Sequence, residues 1–349
     1  MTRASRIAAA VLLVVGSLGC GDDAADTGSG ARTAPEPERG QGPEGHSPSV
    51  PAQEPRPERP LAQVARLTGP VAAEGPALRL TGPVPVDVPL EVGPDALLGL
   101  ALRDGGRVDL EANSSALLAG EGPAVVVLAR GNLHAVLPPA GNAARPPFHV
   151  ALPSATVEIG GSGELWVTQL PSGRAWVAVL GGTVDIMVGD LDAEGRPVRR
   201  TFVAGQAYTL GGSQAEPAAA PGSLDEVRAQ AAGIVRRDRP PRDAQITAGL
   251  ADDVTALDET LEALGGELAR GSRLADEHRS AVAARSERAR ELQRELVGHS
   301  QQMFRMRQAA LVRWERVLAR VRWLAVGGAA PDPDPTAARR ARVRELLGR

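Results

Sequence analysis

The sequence predicts a mixed chain, mostly β followed by α: a block of short strands, solenoid- or sandwich-like, and then a long coiled-coil-like helix. Three observations carry this. Between residues 62 and 215, Val/Leu/Ala runs are broken about every 8–12 residues by Gly, Pro, Asp or Asn, the mark of many short strands. From Leu250 to Leu268 and again from Leu292 to Leu324, apolar residues recur at spacings of four and three, the mark of a helix with a packing seam; between the two stretches the seam passes through Gly271, Ala275, His278, Val282, Arg285 and Ala289, where packing is expected to be weak, and His299, Arg313 and Arg320 interrupt the second. Residues 21–61 are mainly Pro, Gly, Glu, Ala and Ser, with too few large apolar side chains to offset the entropy of folding.

The N-terminus comes first. Arg3 and Arg6 precede the apolar run Ile7 to Val15, which closes in Gly16-Ser17-Leu18-Gly19-Cys20. This is the layout of a secretory signal, too short for a stable membrane span. Cys20 is the only cysteine, which excludes internal disulfides, a Cys-based zinc site and a dithiol redox centre. The segment resembles the lipobox of bacterial lipoproteins, with Ser17 and Leu18 where that family prefers Leu and then Ala or Ser. The resemblance implies a signal peptide over 1–20, lipidation of Cys20, and anchoring in the cell envelope on the outer membrane or a periplasmic face. An ordinary secretory signal with an incidental cysteine is the alternative. Residues 21–61 then read as a Pro-rich tether.

In the block over 62–215, Phe148, Val150 and Leu152 alternate with smaller or polar residues and are expected to share a buried face. Asp104-Gly105 and Gly181-Gly182 suit two-residue hairpins, and Gly131 and Gly205 suit the ends of short strands. The order of motifs is similar to the extracytoplasmic FecR domain. Arg66-Leu67-Thr68-Gly69-Pro70-Val71 resembles its first Gly-Val strand, and Leu100 to Leu110 its hairpin around Asp-Gly. Phe148 to Val157 resembles its Phe-x-Val-x-Thr-Pro stretch, with Leu152 in place of threonine. Val177 to Ile186 resembles its paired Val-x-Val motifs, and Ala204-Gly205-Gln206 its closing Ala-Gly-Gln. The resemblance implies a solenoid-like stack and a role in receptor signalling. The family's anti-sigma and transmembrane segments have no counterpart here, so its route of signalling does not carry over.

Residues 216–243 read as a linker, with Arg239-Pro240-Pro241 near its end, and 244–326 as a long helix or helical hairpin. Gly265-Gly266 costs about 2 kcal/mol of helix propensity relative to alanine, so a bend there competes with a straight rod. Asp332-Pro333-Asp334-Pro335 ends the helix, and residues 327–349 form a Pro-rich joint with a short Arg-rich tail.

Catalytic motifs are wanting. Gly160-Gly161-Ser162-Gly163 is followed by Glu164 where a nucleophile elbow needs glycine, and the chain has no lysine for a phosphate loop, so a β-turn is expected. His134 and His149 lie in the β block without an evident Cys or carboxylate partner, and His278 and His299 fall in the helical seam, where they can set register. Carboxylate pairs such as Asp252-Asp253 and Asp258-Glu259, beside arginines at helical spacing, read as a solvated face. The richest patch is Met303 to Val326, where Arg313, Trp314, Arg316, Arg320 and Trp323 form a candidate partner- or membrane-docking element. The alternative is that its apolar face packs on another helix of the same assembly. A net charge of −3 argues against a nucleic-acid partner.

The expectation is therefore a non-enzymatic envelope lipoprotein without cofactor or metal. Its β domain would be an interaction or scaffold module, and its helix would serve self-association or docking to an envelope protein. A signalling adaptor for an outer-membrane receptor and a cell-wall or polysaccharide binder are the alternatives.

Overall fold

The computed structural model describes residues 60–75, 77–119, 125–139, 147–191, 197–211, 214–218, 221–238 and 244–347. Cys20 and most of the tether lie outside them. The described residues form fourteen strands and four helices, α1 (Leu224–Arg237), α2 (Ala244–Ala283), α3 (Arg288–Val326) and α4 (Pro335–Leu347).

Two long strands organise the β domain, β7 (Val125–Leu137) and β11 (Ala175–Leu191). The first half of β7 pairs with β6 (Ser115–Ala119) and, in parallel, with β8 (Phe148–Ala151). Its second half pairs with β5 (Arg107–Leu110) and β10 (Gly163–Gln169). Likewise β11 runs first beside β10 and β13 (Gln206–Gly211), then beside β9 (Ala155–Ile159) and β12 (Pro197–Val203). The change of neighbours falls at Gly131 and Gly182, with φ of +88° and +71°. A Cβ at Gly131 would overlap Ser114, and one at Gly182 the backbone of Ser162 and Gly163. These glycines therefore bend continuous strands so that each half joins different partners. This corrects the expectation that Gly181-Gly182 makes a hairpin and that Gly131 closes a strand. Asp104-Gly105 does turn β4 (Leu97–Leu102) into β5, and Gly205 turns β12 into β13.

Phe148, Val150 and Leu152 share one buried cluster with Leu98, Leu110 and Leu128. Every residue of β8 and β9 is buried, so both faces of these strands are covered. The second cover is helical. Leu117, Ala119, Val125, Val127 and Ala151 pack with Leu250, Leu257 and Leu261 of α2 and Trp314, Val317 and Trp323 of α3. The inner length of the heptad seam is thus filled from within the chain.

Helix α2 runs unbroken through Gly265-Gly266, and the hairpin turns at 284–287 instead. Helix propensity is overruled by the packing of Leu261, Leu264 and Leu268 on either side of the pair; the Arg342 guanidinium lies close against Gly265 and the His299 ring against Gly271, while nothing stands near Gly266. The turn closes with Ser286 N–H donating to Ala281 O and Arg285 N–H to Val282 O, while Arg285 takes a left-handed φ of +53°. This is the Schellman pattern, with arginine where glycine is usual.

The expected linker over 216–243 holds part of β14 (Gln214–Ala218) and all of α1. Ser223 accepts from Glu226 N–H at the start of α1, and Val227 and Ala231 pack on Trp166, Trp176 and Ala207. The Arg-rich tail is likewise helical. Asp334 caps α4 by accepting from Thr336 N–H at 2.8 Å, with Pro335 in the first helical position.

Candidate functional site

The face where α3 crosses β8 and β9 holds the most unusual chemistry of the molecule. In the β8–β9 hairpin, Leu152 N–H donates to Ala155 O, a register that sets His149 opposite Glu158. Both side chains project from the face opposite Phe148, Val150 and Val157, towards the helices. Helix α3 brings Glu315 down onto them. Nδ1 of His149 lies 2.8 Å from one Glu315 oxygen and 3.1 Å from the other, and Nε2 lies 3.1 Å from Glu158. Arg199 of β12 donates to both Glu158 oxygens at 2.7 and 3.2 Å and stands 3.5 Å from Asp185 of β11, which also accepts from Thr201 at 2.6 Å. Only 3 % of the His149 side chain and 1 % of the Glu315 side chain is exposed.

Burial pushes the His149 imidazole down, but Glu315 and Glu158 on its two edges outweigh burial and hold it up at about 9. Burial raises Glu158, and His149 and Arg199 more than reverse this, so its carboxyl titrates below its ordinary range. The result is an imidazolium held between two carboxylates, a buried ionic joint between a sheet and a helix. Because the carboxylates approach opposite edges of the ring they do not converge on a common point. Among the described residues no group of three or more His, Cys, Asp or Glu side chains is arranged to hold a metal ion.

His134 has a smaller counterpart on the sheet. Its ring lies 2.8 Å from Glu164 and 3.8 Å from Asp109, and Asp109 also pairs with Arg107 at 2.6 Å. Burial lowers the His134 value, yet the two carboxylates raise it overall. The expectation that His134 and His149 lack carboxylate partners is corrected for both. The missing signal was readable for His149: once Pro153-Ser154 is taken as the turn, hairpin register pairs it with Glu158. Glu315 lies 166 positions from His149, and nothing local in the sequence joins them.

A second polar group lies nearer the end of α3. Arg322 donates to Glu91 of β3 (Pro89–Val92) and, at 3.2 Å, to Ser115, which donates to Glu91 at 2.6 Å. Arg130 reaches the other Glu91 oxygen at 3.5 Å. Glu91, Arg130 and Arg322 border an open cleft of about 340 Å³, lined also by Ala72, Ala73 and Val326.

The docking patch read from the sequence is turned inward. Trp323 is 1 % exposed, and its indole lies against Gly173 in the β10–β11 turn, where φ of +96° and the approach of Trp323 and Ile246 leave no room for a Cβ. Trp314 is buried in the sheet–helix cluster. Arg313 donates to Ala256 O at 2.6 Å and to the Thr260 hydroxyl. Asp253 of α2 takes Arg316 at 3.5 Å and Arg320 at 3.0 Å, and Arg320 also donates to Pro153 O at 3.2 Å. The five side chains are turned into the molecule: Trp314, Arg320 and Trp323 meet the β domain, and Arg313 and Arg316 join α3 to α2; the correction follows from the sheet offering a buried apolar face that the sequence periodicity alone cannot see. His299 stands 3.2 Å from Glu267 across the hairpin, whereas His278 lies farther out on α2. Gly160-Gly161-Ser162 is the turn between β9 and β10, as expected. Cys20 and His46 lie outside the described residues.

No family model and no curated protein matches the chain. Among solved structures, it is similar to two crystal structures of a candidate anti-sigma factor from Parabacteroides distasonis ATCC 8503, each at 17 % identity and a TM-score of 0.32. The alignments cover 40 % and 41 % of this chain and 62 % and 63 % of those chains, so this chain spans less than two thirds of their length.

Proposed function

We propose that this chain is a non-enzymatic envelope protein, anchored by lipid on Cys20 through a tether over 21–61. Its FecR-like β domain and helical hairpin would act together as one recognition body for an envelope protein. The observation that carries this reading is the buried contact of His149 with Glu315, which ties α3 to the sheet. Parting them would leave charged groups unpaired, so the two parts bind as a unit. Since the inner seam of the hairpin is already filled, recognition belongs to outward surfaces rather than to Arg313, Trp314, Arg316, Arg320 or Trp323. The motif order resembling the FecR domain favours a signalling adaptor for an outer-membrane receptor over a passive scaffold. It also supports reading the β domain as a two-layer member of that group, with β7 and β11 bent between layers.

The test is photo-cross-linking in intact cells from exposed positions on both parts, Val203 on β12 and Phe304 on α3, combined with deletion of the gene. Adducts to an outer-membrane receptor and altered transcription of its regulon are expected. Adducts only between copies of this chain, or an unchanged regulon, contradict the adaptor reading. Cys20→Ala is expected to abolish incorporation of labelled fatty acid.

A further inference from the structure

The C-terminal helix α4 is held unlike the other elements that close on the hairpin. It buries only Thr336, Val343 and Leu346, whereas α3 buries fourteen side chains. Beyond these and the partly buried Leu347, its grip is ionic and near the surface. Arg339 donates to Asp258 of α2 at 2.7 Å, Arg340 pairs with Asp87 at 2.7 Å, and Arg344 stands 3.7 Å from the same carboxylate. Asp258 is about half exposed, in contrast to Asp253, which holds Arg316 and Arg320 with 14 % of its side chain exposed. At thirteen residues α4 is near the lower limit for a helix that stands without packing.

What α4 covers is more apolar than α4 itself. Val343 and Leu346 enter the cluster formed by Leu257, Leu261 and Leu264 of α2, Trp314 and Leu318 of α3, and Val125 of β7. The fit is incomplete: a cleft of about 450 Å³ remains between α2 and α4, lined by Leu261, Glu262, Arg339 and Arg342 among others. The rim carries Asp87, Asp258 and Glu262, and Asp87 is fixed at the groove's edge by its N–H donating to Leu118 O at 2.8 Å.

We infer that this groove between α2, α3 and β7 is a docking site for a short arginine-bearing helix of a protein partner, and that α4 is its displaceable resting occupant. The groove specifies the partner's chemistry: two aliphatic side chains three residues apart, as in Val343 and Leu346, flanked by arginines that meet Asp87 and Asp258. Displacing α4 frees the tail from residue 335 onward while His149, Glu315 and Trp323 keep the hairpin on the sheet. The inference depends on neither the lipid anchor nor a receptor, so it stands or falls apart from the proposed function.

The probe is a fluorescent synthetic peptide of residues 331–347, titrated by anisotropy against the full-length chain. The Arg339→Ala/Arg340→Ala/Arg344→Ala variant weakens the resident helix and spares the groove, so it is expected to bind the peptide at least tenfold more tightly than the natural chain does. Adding Asp87→Asn and Asp258→Asn is expected to remove that gain, as is 0.5 M NaCl. Hydrogen exchange on the natural chain supplies a check that needs no variant, with α4 amides expected to exchange at least a hundredfold faster than those of 310–324. Equal peptide affinity for the natural chain and the triple-alanine variant, or α4 protected as strongly as 310–324, overturns the inference. Dimerisation of the triple-alanine variant without peptide binding assigns the groove to a second copy and overturns the partner assignment.

Discussion

The inner and outer parts of the helical hairpin keep one helical register but differ in what fills it and in environment: leucines line the inner seam, whereas Gly271, Ala275, His278 and Arg285 stand in the outer one. In the inner part, Leu250, Leu257, Leu261 and Leu264 of α2 and Val317, Leu318 and Trp323 of α3 pack together with strand residues. In the outer part, Leu274 and Leu292 are buried, but Val282, Val297 and Phe304 are exposed, the last at 62 %. The outer length of α2, from Leu268 to Ala283, extends for about 24 Å at 1.5 Å per residue. A heptad pattern thus announces a helix and a seam, while the buried sheet face decides which part of the seam is fixed. The inner part also carries the charges that set register, Glu315 on His149 and Asp253 beneath Arg316 and Arg320.

That contrast is open to breaking on the inner side first. Trp323→Ala removes a fully buried indole that packs against Gly173 and is expected to cost about 3–5 kcal/mol in urea unfolding of the whole chain. Glu315→Ala leaves His149 facing Glu158 alone in a buried site, and a loss of about 3–5 kcal/mol is expected. Leu274→Ala, in the outer part, is expected to lower the unfolding midpoint less than either and to raise hydrogen exchange mainly within 268–303.

pH sharpens the comparison, because the joint is ionic on the inner side. His149 is held at about 9 against an ordinary value of 6.5, so its folded form binds the proton more tightly. Its contribution is complete below about pH 6.5 and lost as pH rises through about 9, on the order of 3 kcal/mol in all. Glu158 acts in the opposite sense: its depressed carboxyl contributes above the ordinary carboxylate range and is lost as acid protonates it. Urea midpoints are therefore expected to peak between about pH 5 and 6.5 and to fall towards pH 9.5, with the alkaline fall reduced in His149→Phe to the share contributed by His134, which Asp109 and Glu164 also hold above its ordinary value. A flat profile across that range in the natural chain would remove the charged imidazolium from the account.

The smallest expected effect lies at the turn. Arg285 occupies a left-handed conformation that favours glycine, so Arg285→Gly is expected to raise stability by up to about 1 kcal/mol, visible as slower exchange near 280–290.

Much of this was written locally in the chain. The alternation of Phe148, Val150 and Leu152 identified one buried face, and Asp104-Gly105 placed a hairpin. Ser223-Leu224-Asp225-Glu226 is a helix-start signature that marks α1, and Asp334-Pro335 is another that marks α4, so both helices were readable inside segments taken as linker and tail. The hairpin turn was not readable in the same way: the left-handed position falls on Arg285, while Gly265-Gly266, which offered the obvious bend, lies within the unbroken α2. The candidate site was half legible. His149 and Glu158 follow from hairpin register, but Glu315 joins them through a contact between distant parts of the chain that no local pattern encodes. The inward turn of Arg313, Trp314, Arg316, Arg320 and Trp323 has the same cause, since an amphipathic helix looks alike whether its apolar face meets a partner or its own sheet.

The central claim is that hairpin and sheet are one cooperative body joined through His149 and Glu315. Hydrogen exchange of the full-length chain at pH 6.5, natural against Glu315→Ala, tests it most directly. Protection of 310–324 and of β8–β9 is expected to be equal in the natural chain and to fall together in the variant. If 310–324 loses protection while β8–β9 keeps its own, the two parts are independent units and the claim is contradicted.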